Sequence, residues 1–345
     1  MAASRYLVLS LWLGGVVVVG GVWWGVLCEG GMGQAVAQSG GSWRERFLRE
    51  APATWKEYEQ FTRCLQGSYT TRSVFSALGI TKVNRSQIKQ NSECGMHTYE
   101  VMEGDVRNLA VELQAYNSKY SFMLGRRTLE GEWLVVRYGV EADQVGLRQQ
   151  TREAIDYALS APVRVVRTRL EDLVGQSTFR VVEVRGMEYG GRECVAVRFE
   201  NPHPMSRRPF VPEQGGMLVL DPSRSWSLCR AEIRSQYLGD KGPTDISEVV
   251  VMETRVGKSG YPIPVRWTYQ YEGVMVTREY DLRDEGVEPL EREFTLSAFG
   301  LPEPVGVEWE RPVRWYLWLM LAGVVCLVAG GVFYWLSRRR AGGTN

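Results

Sequence analysis

The sequence predicts a mainly antiparallel α+β body carried on a single C-terminal transmembrane helix. Three observations predict it. From Thr178 onward, apolar and polar residues alternate with a period of two, in runs separated by short turn signals. Two earlier stretches, 43–62 and 147–158, repeat instead at three to four residues. Finally, Trp315 to Ser337 runs 23 positions without a charge. Helices gathered on one side of a long antiparallel sheet form a layered α+β arrangement, and a sheet of that length twists and curls.

Taken in order, the chain begins with Arg5 and 22 uncharged positions, Tyr6 to Leu27, followed by Ala35-Val36-Ala37. A basic start, an apolar run and a small-x-small site read as a secretory signal peptide over residues 1–37. The length of the run and its distance from Ala37 also fit an uncleaved N-terminal anchor. Cys28 follows Val26-Leu27 and lacks the preceding small residue that lipidation wants.

The body spans residues 38–304. Trp43, Phe47 and Ala51 fall four apart, Pro52 interrupts, and Thr54 caps a second helix bearing Trp55, Tyr58 and Thr62. After Gln66 the period shifts toward two, with strands at Leu109-Val111-Leu113, Tyr120 to Leu124 and Trp133 to Val140. Leu147, Thr151, Ile155 and Ala158 return to helical spacing, and a short helical piece follows at Leu170 to Val174. Strands then come at Phe179 to Val184, Cys194 to Phe199, Met217 to Leu220, Trp226 to Ile233 and Ile246 to Val256. Tyr189-Gly190-Gly191 and Glu272-Gly273 are hairpin turns. Val265, Trp267, Tyr269 and Tyr271 point to one face and Arg266, Thr268, Gln270 and Glu272 to the other; Leu290, Phe294 and Leu296 repeat the pattern against Glu291, Glu293 and Thr295. The expected order is helix, about four strands, helix, about seven strands.

At 1.5 Å per residue, the run 315–337 crosses a hydrocarbon core of ~30 Å. Trp315, Tyr316 and Trp318 mark one interface, Tyr334 and Trp335 the other, and Arg338, Arg339 and Arg340 hold the tail 338–345 in the cytoplasm. The body then lies outside, joined by a linker at 305–314. A buried core helix at the chain end is the competing reading, which the aromatic flanks and basic stop disfavour. Pro302-Glu303-Pro304, a membrane helix and an arginine cluster together resemble the bacterial PEP-CTERM sorting tail. The resemblance implies recognition and cutting by an exosortase. Val305 to Arg314 intervene here, with Glu308, Glu310, Arg311 and Arg314, where the family's helix follows almost at once. The plainer reading is that both prolines stop the last strand and stiffen the exit.

The element order, with Gly215-Gly216-Met217-Leu218-Val219-Leu220-Asp221-Pro222 followed by Trp226 to Glu232, resembles the bacterial lipoprotein-carrier family. That resemblance implies a curved half-barrel cradling acyl chains under covering helices, and a lipid or lipoprotein partner. The family's carriers are soluble, which an anchored chain is not, so a shuttle role does not carry over.

Chemistry-bearing residues are few. Lys and Arg number 41 against 40 Asp and Glu, which argues against a nucleic-acid partner. Cys64, Cys94, Cys194 and Cys229 allow disulfides in an oxidising compartment, the sequence-local pairing being Cys64–Cys94 and Cys194–Cys229; four buried thiols are the alternative. None has the spacing of a redox or zinc motif. His97 and His203 are the only histidines, and the sequence has no Walker loop, Gly-x-Gly-x-x-Gly or Gly-x-Ser-x-Gly. No cofactor and no enzymatic activity is expected. Residues 201–212 hold four prolines, and Arg207 and Arg208 beside Phe210 suit an anionic partner or lipid headgroup, or else a plain surface loop. Trp267, Tyr269, Tyr271 and Phe294 serve either as core or as the apolar lining of the sheet. Three functions follow: a non-enzymatic membrane-anchored binding or scaffold protein of the bacterial envelope, an envelope lipid or lipoprotein-handling module, or a hydrolase whose site only the fold assembles. An open, unfilled apolar sheet face separates the second from the first.

Overall fold

The alternation along the body resolves into one continuous sheet. The computed structural model describes residues 40–103, 109–140, 144–202, 210–239, 242–307, 309 and 315–341. Helix α1 (Gly40–Phe61) leads into six strands: β1 (Leu65–Phe75), β2 (Ile80–Gln90), β3 (Gly95–Glu103), β4 (Val111–Tyr116), β5 (Tyr120–Arg126) and β6 (Leu134–Val140). Helix α2 (Gln144–Leu159), the small pair β7 (Arg164–Val165) and β8 (Thr168–Arg169), and α3 (Leu170–Val174) follow. Seven more strands complete the body: β9 (Arg180–Tyr189), β10 (Arg192–Glu200), β11 (Phe210–Asp221), β12 (Ser227–Gly239), β13 (Gly242–Val256), β14 (Pro262–Tyr271) and β15 (Val274–Asp284). The first half thus has six strands rather than four, because β1–β3 are rich in Ser, Thr, Arg and Gln and alternate weakly.

The thirteen long strands form a single open sheet in the order β6-β5-β4-β3-β2-β1-β15-β14-β13-β12-β11-β10-β9. Every neighbour is antiparallel, and β1 pairs with β15 to join the halves at the centre. This is a curved half-barrel of the α+β class, with its main helices on one face. The hairpins are tight for a local reason: Gly190 and Gly191, and Glu272 and Gly273, all take positive φ, as a type I′ turn demands. Bulges interrupt the pairing of β10 with β9, of β11 with β12 at two places, and of β13 with β14, and such bulges bend and twist the strands that carry them.

Two elements depart from the sequence expectation for identifiable reasons. Pro52 does not break the helix; α1 runs through it. Trp43, Phe47, Ala51, Trp55 and Tyr58 form one buried stripe, and Thr54 does not cap but donates its hydroxyl to the carbonyls of Glu50 and Ala51 at 3.2 and 2.9 Å. Packing of that stripe outweighs the ~3 kcal/mol cost of an internal proline. Residues 290–296 form no strand: Glu291–Phe294 and Leu296–Phe299 are 3-10 turns, with Leu290 exposed and Phe294 and Leu296 buried. Val265 also leaves the face of Trp267 and Tyr269, because the register shift between Glu253 and Thr254 leaves it as the extra residue opposite that step.

The main core lies between α1, α3, the 161–170 segment and the inner face of β9–β15, with Phe47, Tyr58, Phe199, Leu220 and Trp226 among its fully buried side chains. Helix α2 covers the inner face of β3–β5. A second core sits on the opposite, outer face of β4 and β5. There Leu113, Ala115, Tyr120, Phe122 and Leu124 pack with Leu296, Phe299, Leu301 and Trp309, so residues 290–307 run back as a strap over the outer side, with Trp309 packed beside them. Helix α4 (Trp315–Ala341) contains Trp318–Trp335, the one segment among the described residues long and apolar enough to cross a membrane; none of it is buried against the body.

Candidate functional site

The inner face of the central strands carries an aromatic band flanked by two arginines in opposite circumstances. Trp267, Tyr269 and Tyr271 alternate along β14 and stack in sequence, at 5.6 Å and 20° for the first pair and 5.1 Å and 33° for the second. Trp267 and Tyr269 are buried in the main core and Tyr271 is half-buried at its edge. Phe294 is not part of this band: it is enclosed in the strap, where its carbonyl accepts from the Asn117 amide.

At one end of the band lies a polar cluster. Glu248 of β13 is fully buried and accepts from both terminal nitrogens of Arg167, at 3.1–3.4 Å, and from the hydroxyls of Ser235 and Tyr269. Four donors on one carboxylate satisfy its burial. Burial and the adjacent Glu248 push the Tyr269 phenol far above its ordinary range. Glu213 enters beside them. It takes φ +26° at the bulge between Val211 and Gly215, is 1% exposed, and accepts from the Thr168 hydroxyl at 2.7 Å. Burial raises its carboxyl above the usual range despite those donors. The cluster has the residue types of an acid–base site, with its carboxylates engaged by donors from the chain itself; a separate pocket between α1 and the 156–171 segment has about 10 Å³, room for roughly one water molecule.

At the other end, Arg278 of β15 reaches inward with no carboxylate. Its guanidinium lies 4.6 Å from the Tyr157 ring centre, 5.0 Å from Trp267 and 5.6 Å from Tyr69. Its Nε is buried, and the guanidinium lies against the phenol of Tyr280. Tyr280 is pushed up to about 12 by burial, against the pull of the cation. His97 of β3 stacks beside Tyr69 and shares a 3.1 Å hydrogen bond between Nε2 and the phenol. Burial, helped by the Arg278 charge, holds this imidazole down at about 4, so it is neutral near pH 7. The sequence shows where Arg278 is unusual: Val274, Val276, Arg278, Tyr280 and Leu282 share one register, and a charge stands where alternation asks for an apolar residue. Glu248 interrupts the register of Ile246, Val250 and Met252 in the same way.

The remaining expected residues fall elsewhere. Arg207 and Arg208 lie outside the described residues, as does the segment 1–37; Phe210 begins β11. The four body cysteines are free thiols. Cys194 and Cys229 meet on the outer face beside Val219, and the thiol of Cys194 both hydrogen-bonds Cys229 and, with burial, raises it. Cys64 and Cys94 have separate surroundings, Asp284 and Glu288 for the first, Asn91 and Glu291 for the second, and burial raises both. Glu303, between the two prolines, is engaged by the fold: its carboxylate accepts from the Tyr120 hydroxyl at 2.6 Å, the Ser297 amide at 2.8 Å and the Trp309 indole at 3.1 Å. On the outer face, a depression of about 470 Å³ is lined by Arg185, Arg198 and Arg234 with Glu183, Glu200 and Glu232, a balanced polar surface. Among the described residues no group of His, Cys, Asp and Glu is arranged to hold a metal ion.

Comparison with known proteins adds little to this geometry. No family model matches the chain, and no curated protein matches it in sequence. Among solved structures, it is similar to a candidate outer membrane lipoprotein-sorting protein domain from Vibrio parahaemolyticus, at 11% identity and TM-score 0.36, over 72% of this chain and 97% of that one. It is also similar to a DUF1329 family protein from Desulfovibrio piger, at 9% identity and TM-score 0.35, over 72% and 99%. At such scores neither similarity bears on what this chain binds.

Proposed function

We propose that this is a non-enzymatic binding or scaffold protein of the bacterial cell envelope, with its body, residues 38–304, outside the membrane and its C-terminal helix as the anchor. The observation that carries the reading is the filling of the inner sheet face. An acyl carrier needs that face concave, apolar and open. Here Phe47, Tyr58, Leu170, Leu173, Phe199 and Trp226 close it with the chain's own side chains. The anchor rests on Trp318–Trp335, an apolar helix with no protein surface to bury against. Arg338 to Arg340 fit a cytoplasmic end for it. Under this reading residues 305–314 are the linker and 338–345 the inner tail.

The test is fractionation followed by lipid analysis. The full chain is expected in the membrane fraction, resistant to alkaline carbonate. Native mass spectrometry after detergent exchange is expected to show no acyl lipid at a one-to-one ratio. A stoichiometric acyl lipid that survives exchange would replace this reading with the lipid-handling one, and release by carbonate would remove the anchor. Immunoblotting with a C-terminal tag decides the sorting fate of Pro302-Glu303-Pro304: an intact tail in the mature protein excludes cutting.

A further inference from the structure

We propose that the β6 edge of the sheet rests in the headgroup layer of the membrane that α4 crosses, as a second, peripheral contact with lipid. The argument begins with the edge itself. Strand β6 ends the sheet, and among the described residues no strand pairs with its far side. Five of its seven residues are apolar and exposed: Leu134, Val135, Val136, Tyr138 and Val140, at 37–51%. Val135, Tyr138 and Val140 stand opposite Leu124, Phe122 and Tyr120 and share their outer face, while Leu134 stands opposite Gly125 on the other. A protein surrounded only by water blunts or covers such an edge, so an aliphatic stripe exposed on both faces marks a contact surface.

The place of the edge along the chain names the partner. Trp309 packs against Tyr120 at 6.2 Å, and Tyr120 against Tyr138 of β6 at 5.8 Å. Six residues further on, Trp315 opens α4, and an extended chain of that length spans at most ~20 Å. The strap therefore delivers the anchor beside β6, while β9 lies at the opposite edge, roughly 60 Å away along the sheet at ~4.8 Å for each strand. Cation–aromatic pairs border the stripe, Lys119 over Trp309 at 4.6 Å and Arg126 over Trp133 at 3.9 Å, and such pairs suit the headgroup level. At that depth water still reaches the unpaired backbone of the edge, which the hydrocarbon core would leave bare. A second copy fits less well. Antiparallel pairing of β6 with itself about its middle residue sets two Arg137 guanidiniums face to face, and the register shift between Met123 and Leu124 twists the edge away from an added strand. The inference rests on α4 being the anchor.

The test uses the full chain in phosphatidylcholine nanodiscs. An environment-sensitive fluorescent amino acid is introduced by codon suppression in place of Val135, of Val182 on β9 or of Val324 in α4, one at a time, all three positions being exposed. Quenching is read with lipids carrying a nitroxide near the headgroup or at mid-chain, and with aqueous iodide. The mid-chain nitroxide is expected to quench the probe at Val324, and the shallow one to quench the probe at Val135 several-fold more than at Val182. Leu134→Asp combined with Val140→Asp changes two exposed side chains, and is expected to keep the Tm and to cut the quenching at Val135 by at least half. Quenching at Val324, with Val135 no more quenched than Val182, overturns the inference and leaves the anchor standing. Quenching at Val135 that the two aspartates do not reduce also overturns it, since the tether alone then holds the edge near lipid. A probe at Val135 shielded from nitroxide and iodide alike overturns it in favour of a protein partner on the edge. No quenching at Val324 removes the anchor, and this inference with it.

Discussion

Acidification below pH 6.5 should destabilise this fold through His97. The unfolded chain binds a proton at His97 near pH 6.5, while the folded chain holds the imidazole neutral down to about 4. The folded affinity for the proton is depressed, so the stability present above pH 6.5 is lost as pH falls. At 1.36 kcal/mol for each pH unit separating the two titrations, the full loss is about 3 kcal/mol. Between pH 6.5 and 5 it is about 2 kcal/mol, less some solvent screening of a ring that is only half-buried. That window precedes the carboxylates held low by their partners, such as Glu293 beside Lys89. The assay is urea unfolding of the detergent-solubilised chain at pH 7.5, 6.5, 5.5 and 5, for wild type and His97→Gln. The variant is expected to be less stable at pH 7.5, through loss of the Tyr69 contact, but nearly flat with pH. Parallel wild-type and variant curves, or an NMR titration placing His97 near 6.5, would refute the reasoning.

Three further outcomes are expected. Glu303→Gln or Tyr120→Phe should cost about 1–3 kcal/mol, since each leaves a charge-assisted hydrogen bond unmade, and should raise amide exchange selectively in the strap, read by mass spectrometry. Burial raises the Glu303 carboxyl, but the Tyr120, Ser297 and Trp309 donors outweigh it and hold it below the usual range, so the strap's hold weakens as pH falls through that lowered value. Glu248→Ala should lower the Tm by the equivalent of about 3 kcal/mol, the lower end for breaking a buried pair because Arg167 keeps part of its surface in water. Gly216→Ala should prevent soluble folding in expression trials: φ there is +154°, and a Cβ would lie 2.0 Å from the Glu232 carbonyl oxygen.

How much of this was legible in the sequence depends on what local periodicity encodes. Leu147, Thr151, Ile155 and Ala158 announced α2, and Tyr189-Gly190-Gly191 its hairpin, because spacing and turn chemistry act within a few residues. Residues 290–296 alternated like a strand yet fold as turns, with Leu296 buried against the face of β4 and β5 rather than paired in the sheet. Pro52 looked like a stop because the packing that overrides it comes from Trp226 and other residues far along the chain. The aromatic band was visible as Trp267, Tyr269 and Tyr271, but its outcome as core was not, because α1 and α3 supply the other wall. Arg278 and Glu248 were printed in the pattern as breaks in an apolar register. Their opposite fates, one paired and one caged by rings, depend on Arg167 and Tyr157 arriving from outside the sheet.

The pairing of β1 with β15 sets the order in which this sheet forms. Leu65 meets Asp284 and Phe75 meets Val274, partners about 200 residues apart in the chain. A polypeptide emerging N-terminus first can zip β1 through β6 by hairpins, and later β9 through β14. Until β15 arrives, each half ends in a bare edge, β1 on one and β14 on the other, with its hydrogen-bonding groups unclaimed. Closure of the centre is therefore the slow step and the interval of greatest exposure to wrong partners. Under the proposed topology, with the body outside the cytoplasm, folding should accordingly lean on holding chaperones for as long as the last strand is still in transit.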